Sequence, residues 1–364
     1  MPLSPLFRKT DFSSLPGWHD DDQSKAFDAF RRNAAYALDN PHKTGSAGVD
    51  GSSFQAAFAA ALDMPGLDDG AARLFFEKHF VPFLIEADGF VTGFYEPEVE
   101  ASPVRTARFD IPLLGVPSDL VKIDESNRPE GLDSYLAFGR QTESGLVEYF
   151  DRAEIEGGAV AGKAVPLAWL ADPVDAFFIH VQGAARLVMP DGEVWRVTYA
   201  AKSGQRFTGP GRVLAELGEI PPEQVTMQSI RAWFAANPGR VNEILHRNRS
   251  YIFFRKAKVD DSALGPIAAA KIPLSPGRSL AVDKSIHTFG TPFFIHAPEL
   301  RAFDEKPFRR LMIAQDTGSA IIGPARGDLF AGSGDAAGEI AGVVRHHADF
   351  HVLIPRLLVP EAFR

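Results

Sequence analysis

Two carboxylates, Asp316 and Asp328, lie within RLMIAQDTGSAIIGPARGDLFAGSG, Arg310 to Gly334, a stretch that sets acidic residues among glycines in an otherwise apolar run. A carboxyl group in such surroundings can serve as a general acid. Apolar neighbours disfavour its charged form and a nearby anion disfavours it again, so a proton stays available near neutrality. On this argument Asp328 is the acid and Asp316 the neighbour that raises its pKa. Aspartates in glycine-rich loops also cap turns, and the spacing alone leaves both readings open.

The elements that must hold these groups can be read from the pattern. Leu311, Met312, Ile313 and Ala314 read as a buried strand with Asp316 at its exit, followed by a turn at Thr317 and Gly318. Ala320, Ile321 and Ile322 form a second apolar run, and Gly323, Pro324 and Gly327 turn the chain towards Asp328, which Leu329 and Phe330 anchor. Earlier in the chain, Phe27, Phe30, Ala34 and Leu38 mark one face of a helix from about Gln23 to Leu38, with Asp21 or Asp22 as its cap. Ser52 or Ser53 would cap a second helix through Phe54, Phe58 and Leu62, and Ala71 to Phe80 reads as a third that Pro82 ends or kinks. Phe90 to Tyr95 alternates as a strand in which Gly93 permits a close approach of backbone.

From Glu98 to Lys256 the chain reads as strands, turns and loops, with Gly and Pro throughout. Phe177 to Gln182 is expected to be an apolar strand ending at Gln182 and Gly183, and Arg186 to Val197 a hairpin around Pro190, Asp191 and Gly192. Tyr199, Ala200, Lys202, Ser203 and Gly204 are expected in a polar loop, and two amphipathic helices at Met227 to Ala235 and Arg240 to His246. Tyr251 to Phe254 should lead back to the first part of the chain, where Ser279 to Val282 delivers Asp283 and Phe293 to Ile295 pairs ahead of the Arg310 segment.

Composition narrows the function classes. The 364 residues suffice for two domains with substantial cores, and 45% hydrophobic residues argue for a globular protein. A net charge of −9 without a basic patch argues against nucleic acid or an anionic membrane as partner. Without cysteine the chain has neither disulfides nor a thiolate nucleophile, and no apolar run approaches the length of a membrane span. With 29 Phe against four Trp, aromatic-rich cores are expected. Gly332, Gly334 and Gly338 do not keep the spacing of a dinucleotide loop, and His346, His347 and His351 do not gather on one helical face, so neither a cofactor nor a metal is expected.

Several stretches carry a resemblance. DTGSAIIGPARGDLFAGSG, preceded by AVDKSIHTFGTPFFI, resembles the three-aspartate (3D) domain of the MltA-type lytic transglycosylases. FVTGFYEPEVEAS, FFIHVQGAARL, VTYAAKSGQRFTGPGRVL, MQSIRAWF and NRSYIFFRK follow the family's order from about residue 90 onward. The resemblance implies an α+β chain. A double-psi β-barrel catalytic domain would be built from residues 1–97 and 257–364, and residues 98–256 would form an inserted, β-barrel-like substrate-binding domain, with a glycan groove between the two.

The resemblance makes Asp283, Asp316 and Asp328 the three aspartates, with Asp328 the acid and the other two supporting. It places Thr92, Gly93 and Tyr95 along the substrate, although Tyr95 also fits a half-buried strand aromatic. Gln182, Gly183, Tyr199 and Ala200 are a sugar-contacting edge by their chemistry, since amides match hydroxyls and rings match apolar sugar faces. Gln182 fits equally well as the partner of a buried backbone group.

The implied activity is that of a peptidoglycan exotransglycosylase, a carbon–oxygen lyase. Asp328 would protonate the β-1,4 glycosidic oxygen between N-acetylmuramic acid and N-acetylglucosamine, then take the C6 hydroxyl proton as a 1,6-anhydro product forms. The alternatives are a hydrolase with Asp283 or Glu96 activating water, and a wall-binding protein of expansin type without turnover. The partner in each case is a peptidoglycan glycan strand. Members of the family are exported, whereas MPLSPLFRKTDFSSLPGW lacks an export signal, so the expectation is a periplasmic or outer-membrane-associated protein whose leader has been removed.

Overall fold

The structure, a computed structural model, describes residues 2–359. Residues up to Tyr95 and from Val259 onward form one compact unit, and Glu96–Lys258 form another.

The first unit opens with a short strand, β1 (Phe7–Lys9), then helices α1 (Gln23–Ala37), α2 (Gln55–Leu62) and α3 (Asp69–His79) and strands β2 (Phe80–Ile85) and β3 (Phe90–Glu96). Phe27 and Phe30, both fully buried, form with Ala34 the apolar stripe of α1. Phe30 meets Phe58 of α2 at 5.1 Å and Phe76 of α3 at 5.7 Å between ring centroids, and Phe27 meets Phe75 at 5.0 Å. Each such ring contributes about 1.5–3 kcal/mol by burial. Asp50, and not Ser52 or Ser53, caps the 3-10 turn that leads into α2, and Asp68 caps α3 through the Ala71 amide. Pro82 neither ends nor kinks a helix, because it lies inside β2.

Asp21 serves a different purpose from a cap. It accepts from both terminal nitrogens of Arg278, at 2.9 and 2.8 Å, and from the Leu311 amide at 2.7 Å. The two side chains of this ion pair are 5% and 2% exposed, so it fastens the segment ahead of α1 to the strands that carry the aspartates.

The second unit contains β4 (Glu98–Ser102), β5 (Ile111–Leu114), β6 (Leu120–Lys122), β7 (Phe138–Thr142), β8 (Gly145–Glu148), β9 (Pro166–Leu170), β10 (Ala184–Val188), β11 (Val194–Lys202) and β12 (Ile252–Ala257). Its helices are α4 (Arg152–Glu154), α5 (Pro173–Gln182), α6 (Pro210–Glu216), α7 (Met227–Ala236) and α8 (Val241–Leu245). The strands form a six-stranded sheet, β12-β11-β10-β4-β9-β5, and a three-stranded one, β6-β7-β8. The hairpin expected around Asp191 and Gly192 is β10 and β11.

Two expectations fail here. Phe177 to Gln182 is helix α5, with Asp172 as N-cap, Pro173 in its first turn and left-handed Gly183 at its C-cap. Its side chains bury on two sides: Ala176 and Ile179 join the sheet core, while Phe177 and Phe178 join the core formed with α6, α7 and α8. A helix apolar all round loses its 3.6-residue signature and imitates a buried strand. Ile252–Ala257 does not return to the first unit either, since it pairs with β11 inside the second.

The chain then completes the first unit with β13 (Ser279–Val282), β14 (Pro292–Ala297), β15 (Phe308–Asp316), β16 (Arg326–Ser333), helix α9 (Asp335–Val343), β17 (Arg345–His347) and β18 (Asp349–Pro355). The strand order is β1-β2-β18-β14-β15-β13-β16-β3-β17. The chain is α+β, as expected. Among the described residues, however, this order is an open sheet with two ends and the second unit's sheets are open too, so neither the double-psi barrel nor the barrel-like insert is what the pairing describes.

Candidate active site

The site is built on three adjacent strands. β13 lies between β15, to which it is parallel, and β16, to which it is antiparallel. Ala281 is in register with Asp316 on one side and with Asp328 on the other. Residues in register across neighbouring strands project from the same face, so the two carboxylates flank a methyl group in one row. With strands about 4.8 Å apart, their Cα atoms stand roughly 10 Å from each other. Ala281 between them is buried and small.

The alternation of β16 and β3 sorts the remaining side chains. Leu329, Leu280, Val282 and Val91 face the main core. On the opposite face are Asp328 and, next along β16, Phe330, whose ring meets Phe94 of β3 at 5.2 Å. Thr92, two residues before Phe94, donates its hydroxyl to Asp328 Oδ1 at 2.6 Å. Arg326 Nη2 donates to Thr92 Oγ1 at 2.7 Å, and Arg326 Nη1 donates to the Gly327 carbonyl.

Asp328 is half-buried, and burial pushes its pKa up against the opposing effects of the Thr92 hydrogen bond and the Arg326 charge. Asp316, also half-buried, is pushed up to about 6. Burial is the main cause, the amides of Thr317 and Ala269 oppose it, the Asp328 charge adds to it and Lys284 lowers it. The Ala269 amide reaches Asp316 Oδ1 at 3.1 Å. Burial is thus the main cause for both carboxylates, and the repulsion expected between them adds to it at Asp316.

Asp283 is held differently. Its Oδ1 accepts from the Ser285 amide at 3.0 Å and hydroxyl at 2.6 Å, and its Oδ2 from the Gly323 amide at 3.0 Å. Burial raises its pKa, but these donors outweigh burial and hold it below the usual value. An ionised carboxylate with its oxygens engaged ties down the loop that joins β15 to β16. In that loop only Ile321 of the apolar run Ala320 to Ile322 is buried, and Ile322 is 74% exposed, so the run forms no strand.

Of the β3 residues expected at the substrate, Thr92 alone faces Asp328. A Cβ on Gly93 would come within 2.8 Å of Ala341 Cα and 2.9 Å of its carbonyl oxygen, so this glycine exists to admit helix α9. Tyr95 is 6% exposed and its ring packs over Gly338 of the same helix. Both are packing residues on the face opposite the acid.

In the second unit the remaining expected residues do gather. Gly183 closes α5, its carbonyl accepts the Tyr199 amide at 2.7 Å, and Gln182 precedes it. Tyr199 and Ala200 lie within β11 and not in a loop; Ala200 falls where the register with β12 shifts, and Tyr199 is 42% exposed. Burial around its hydroxyl pushes the Tyr199 pKa to about 12, so it stays a neutral donor. Glu96 is fully buried and accepts from Arg186 Nε at 3.0 Å, and Arg196 lies at 4.0 Å. His180, left outside the site, is buried in α5 against Arg152 at 3.0 Å.

Sequence reasoning missed Arg326 and Phe94, and read Phe330 only as an apolar anchor. The signal was present: once Asp328 is placed on a strand, residues two before and two after it share its face.

The MltA specific insert domain matches residues 90–255 and the 3D domain matches residues 278–354. The chain is similar to a membrane-bound lytic murein transglycosylase from Agrobacterium tumefaciens of known structure, with 48% identity, 98% of this chain and 99% of that one covered, and a TM-score of 0.93. The Escherichia coli MltA structure with bound chitohexaose is 26% identical, with a TM-score of 0.68 and coverage of 98% of this chain and 95% of that one. Membrane-bound lytic murein transglycosylase A of Escherichia coli K12 is 30% identical over 72% of this chain, and the match spans 64% of that relative's length.

Proposed function

Because this chain belongs to the MltA family of lytic murein transglycosylases, we propose that it cleaves the β-1,4 bond between N-acetylmuramic acid and N-acetylglucosamine in peptidoglycan, leaving 1,6-anhydromuramoyl ends. The observation that carries this reading is Asp328. It is a half-buried carboxyl group with a raised pKa; one oxygen is held by Thr92, and among the described residues no donor reaches the other.

Protonated Asp328 gives its proton to the bridging oxygen as the bond from that oxygen to C1 of the muramoyl residue breaks. The C6 hydroxyl oxygen of the same residue attacks C1, and its proton passes to the Asp328 carboxylate. The acid is restored, and one carboxyl group suffices where hydrolysis needs two. Asp316 shares the face and supports the charge balance, and Asp283 keeps the β15–β16 loop in place. Gln182, Gly183, Tyr199 and Ala200 contact sugar with amide, backbone and ring. Such chemistry on murein belongs in the periplasm, at the outer membrane, in keeping with the relatives' name "membrane-bound". Among the described residues no helix is long and apolar enough to cross a membrane.

One observation favours a second reading, an inverting hydrolase. Asp316 is in register with Asp328 across Ala281 and close enough for the Asp328 charge to raise its pKa, and hydrolysis with inversion needs such a second carboxylate to activate water. The carboxylates first considered for that role fit it less well, since Glu96 is paired with Arg186 and Asp283 is occupied by its three donors. Mass spectrometry of soluble products from purified sacculi decides between them. Anhydromuramoyl ends from the wild type and none from Asp328→Asn support the transglycosylase, and reducing ends support the hydrolase.

A further inference from the structure

Thr92 touches Arg326 on one side and Asp328 on the other, and among the described residues Asp328 is the one acceptor its hydroxyl proton reaches, which favours one orientation. A guanidinium has only donors, so at 2.7 Å the Thr92 oxygen must accept from Arg326 Nη2. The hydroxyl has one proton, and it points to Asp328 Oδ1 at 2.6 Å. A proton on Oδ1 would turn the Thr92 proton away from that acceptor and leave it without a partner among the described residues, so Oδ1 stays the acceptor when the carboxyl group is neutral.

We infer that Arg326 is a positioning residue which, by orienting the Thr92 hydroxyl, confines the transferable proton of Asp328 to Oδ2. This deepens the reading of Asp328 as the acid and rests on it. The relay uses residues of one unit and two neighbouring strands, β16 and β3. Arg326 is itself held by its bond to the Gly327 carbonyl and by the Phe90 ring at 5.8 Å, so its direction is fixed by groups outside the relay. The charged groups that interact with Asp328 are Arg326 on its own strand and Asp316 on β15, and β3 supplies Thr92 with no charge; Lys284, after β13, acts on Asp316. Arg326 also opposes the effect of burial on Asp328, so the relay both orients the proton and limits how tightly it is held. A carboxyl group free to carry its proton on either oxygen spends part of its time with the proton facing Thr92, away from the glycosidic bond.

The experiment follows the carboxyl carbons in full-length protein labelled at the aspartate side chains, titrated by NMR, with Asp328→Asn identifying the Asp328 signal. Thr92→Val, which keeps the shape and removes the hydroxyl, and Arg326→Gln should each move the Asp328 midpoint upward by about one pH unit, the size of one lost hydrogen bond to an ionised group. Thr92→Ser should restore the wild-type midpoint. On sacculi, both disabling variants should lower kcat at least about tenfold with little change in KM and shift the alkaline limb of the profile in step with the titration. An unmoved midpoint in Thr92→Val overturns the relay, and so does a moved midpoint with unchanged kcat. A moved midpoint in a protein whose turnover also survives Asp328→Asn leaves the relay's geometry standing but removes Asp328 as the acid, which is a failure of the functional reading and distinct from the other two.

Discussion

Asp328 and Asp316 differ by what touches them, and that difference yields two tests. Asp328 carries one side-chain donor and a nearby guanidinium, whereas Asp316 accepts from backbone amides. Asp328→Asn is expected to abolish release of soluble muropeptides while retaining sedimentation with sacculi; full turnover in that variant would exclude it as the acid. For Asp316 the sign of the pH dependence can be worked out. Its folded pKa of about 6 lies above the unfolded value of 3.8, so the folded state holds the proton more tightly and the group's contribution to stability falls as pH rises from about 4 to 6. Asp316→Asn, which keeps an acceptor for the amides, is expected to raise the melting temperature at pH 7 relative to wild type and to lose that gain at pH 4. A difference independent of pH would show that Asp316 is not destabilised by its charge. Its activity should nonetheless fall, through the loop it helps to set.

At the scale of elements, the acid depends on how closely helix α9 lies on β3. A methyl group at Gly93 would meet backbone atoms of Ala341, which cannot move aside as a side chain can. Gly93→Ala is therefore expected to cost about 1–3 kcal/mol in urea unfolding, and to lower activity further by displacing Thr92 along the same strand. If the variant unfolds like wild type, the helix can shift freely and Thr92 is not held by it. The alternation along β3 was legible in the residues, while Thr92 came from the family resemblance together with Gly93 and Tyr95. The reversal at Gly93 and Tyr95 was not, because a strand pattern says which residues share a face but not which face meets a helix that arrives from later in the chain. Helix α5 makes the complementary point: Asp172, Pro173 and Gly183 mark its ends, yet its uniformly apolar middle argues for a strand.

For the molecule as a whole, long-range fastening matters more than any local motif. The buried Asp21–Arg278 pair joins the segment before α1 to β13 and β15, the strands that bear Ala281 and Asp316. Arg278→Gln leaves a buried carboxylate without its counter-charge and is expected to destabilise the protein by about 3–5 kcal/mol, read as a lower urea midpoint. Asp21→Asn with Arg278→Gln should recover part of that loss, since neither charge is then stranded. No partial recovery would mean that the pair acts through the Leu311 amide instead.

The sequence by itself determined the first three helices, the strand that ends at Asp316 and the one that leads to Asp283, the family and the identity of the candidate acid. These depend on local periodicity, turn chemistry and a run of motifs, all of which short stretches of chain carry intact. Only the tertiary structure decided that Ala281 spaces the two carboxylates, that Arg326 and Thr92 hold one oxygen of Asp328, that Asp283 is occupied by its loop, and that Gly93 and Tyr95 serve a helix. Each of these depends on strand neighbours distant in sequence, and the order β15-β13-β16-β3 is set by packing of the whole sheet, which no local pattern encodes.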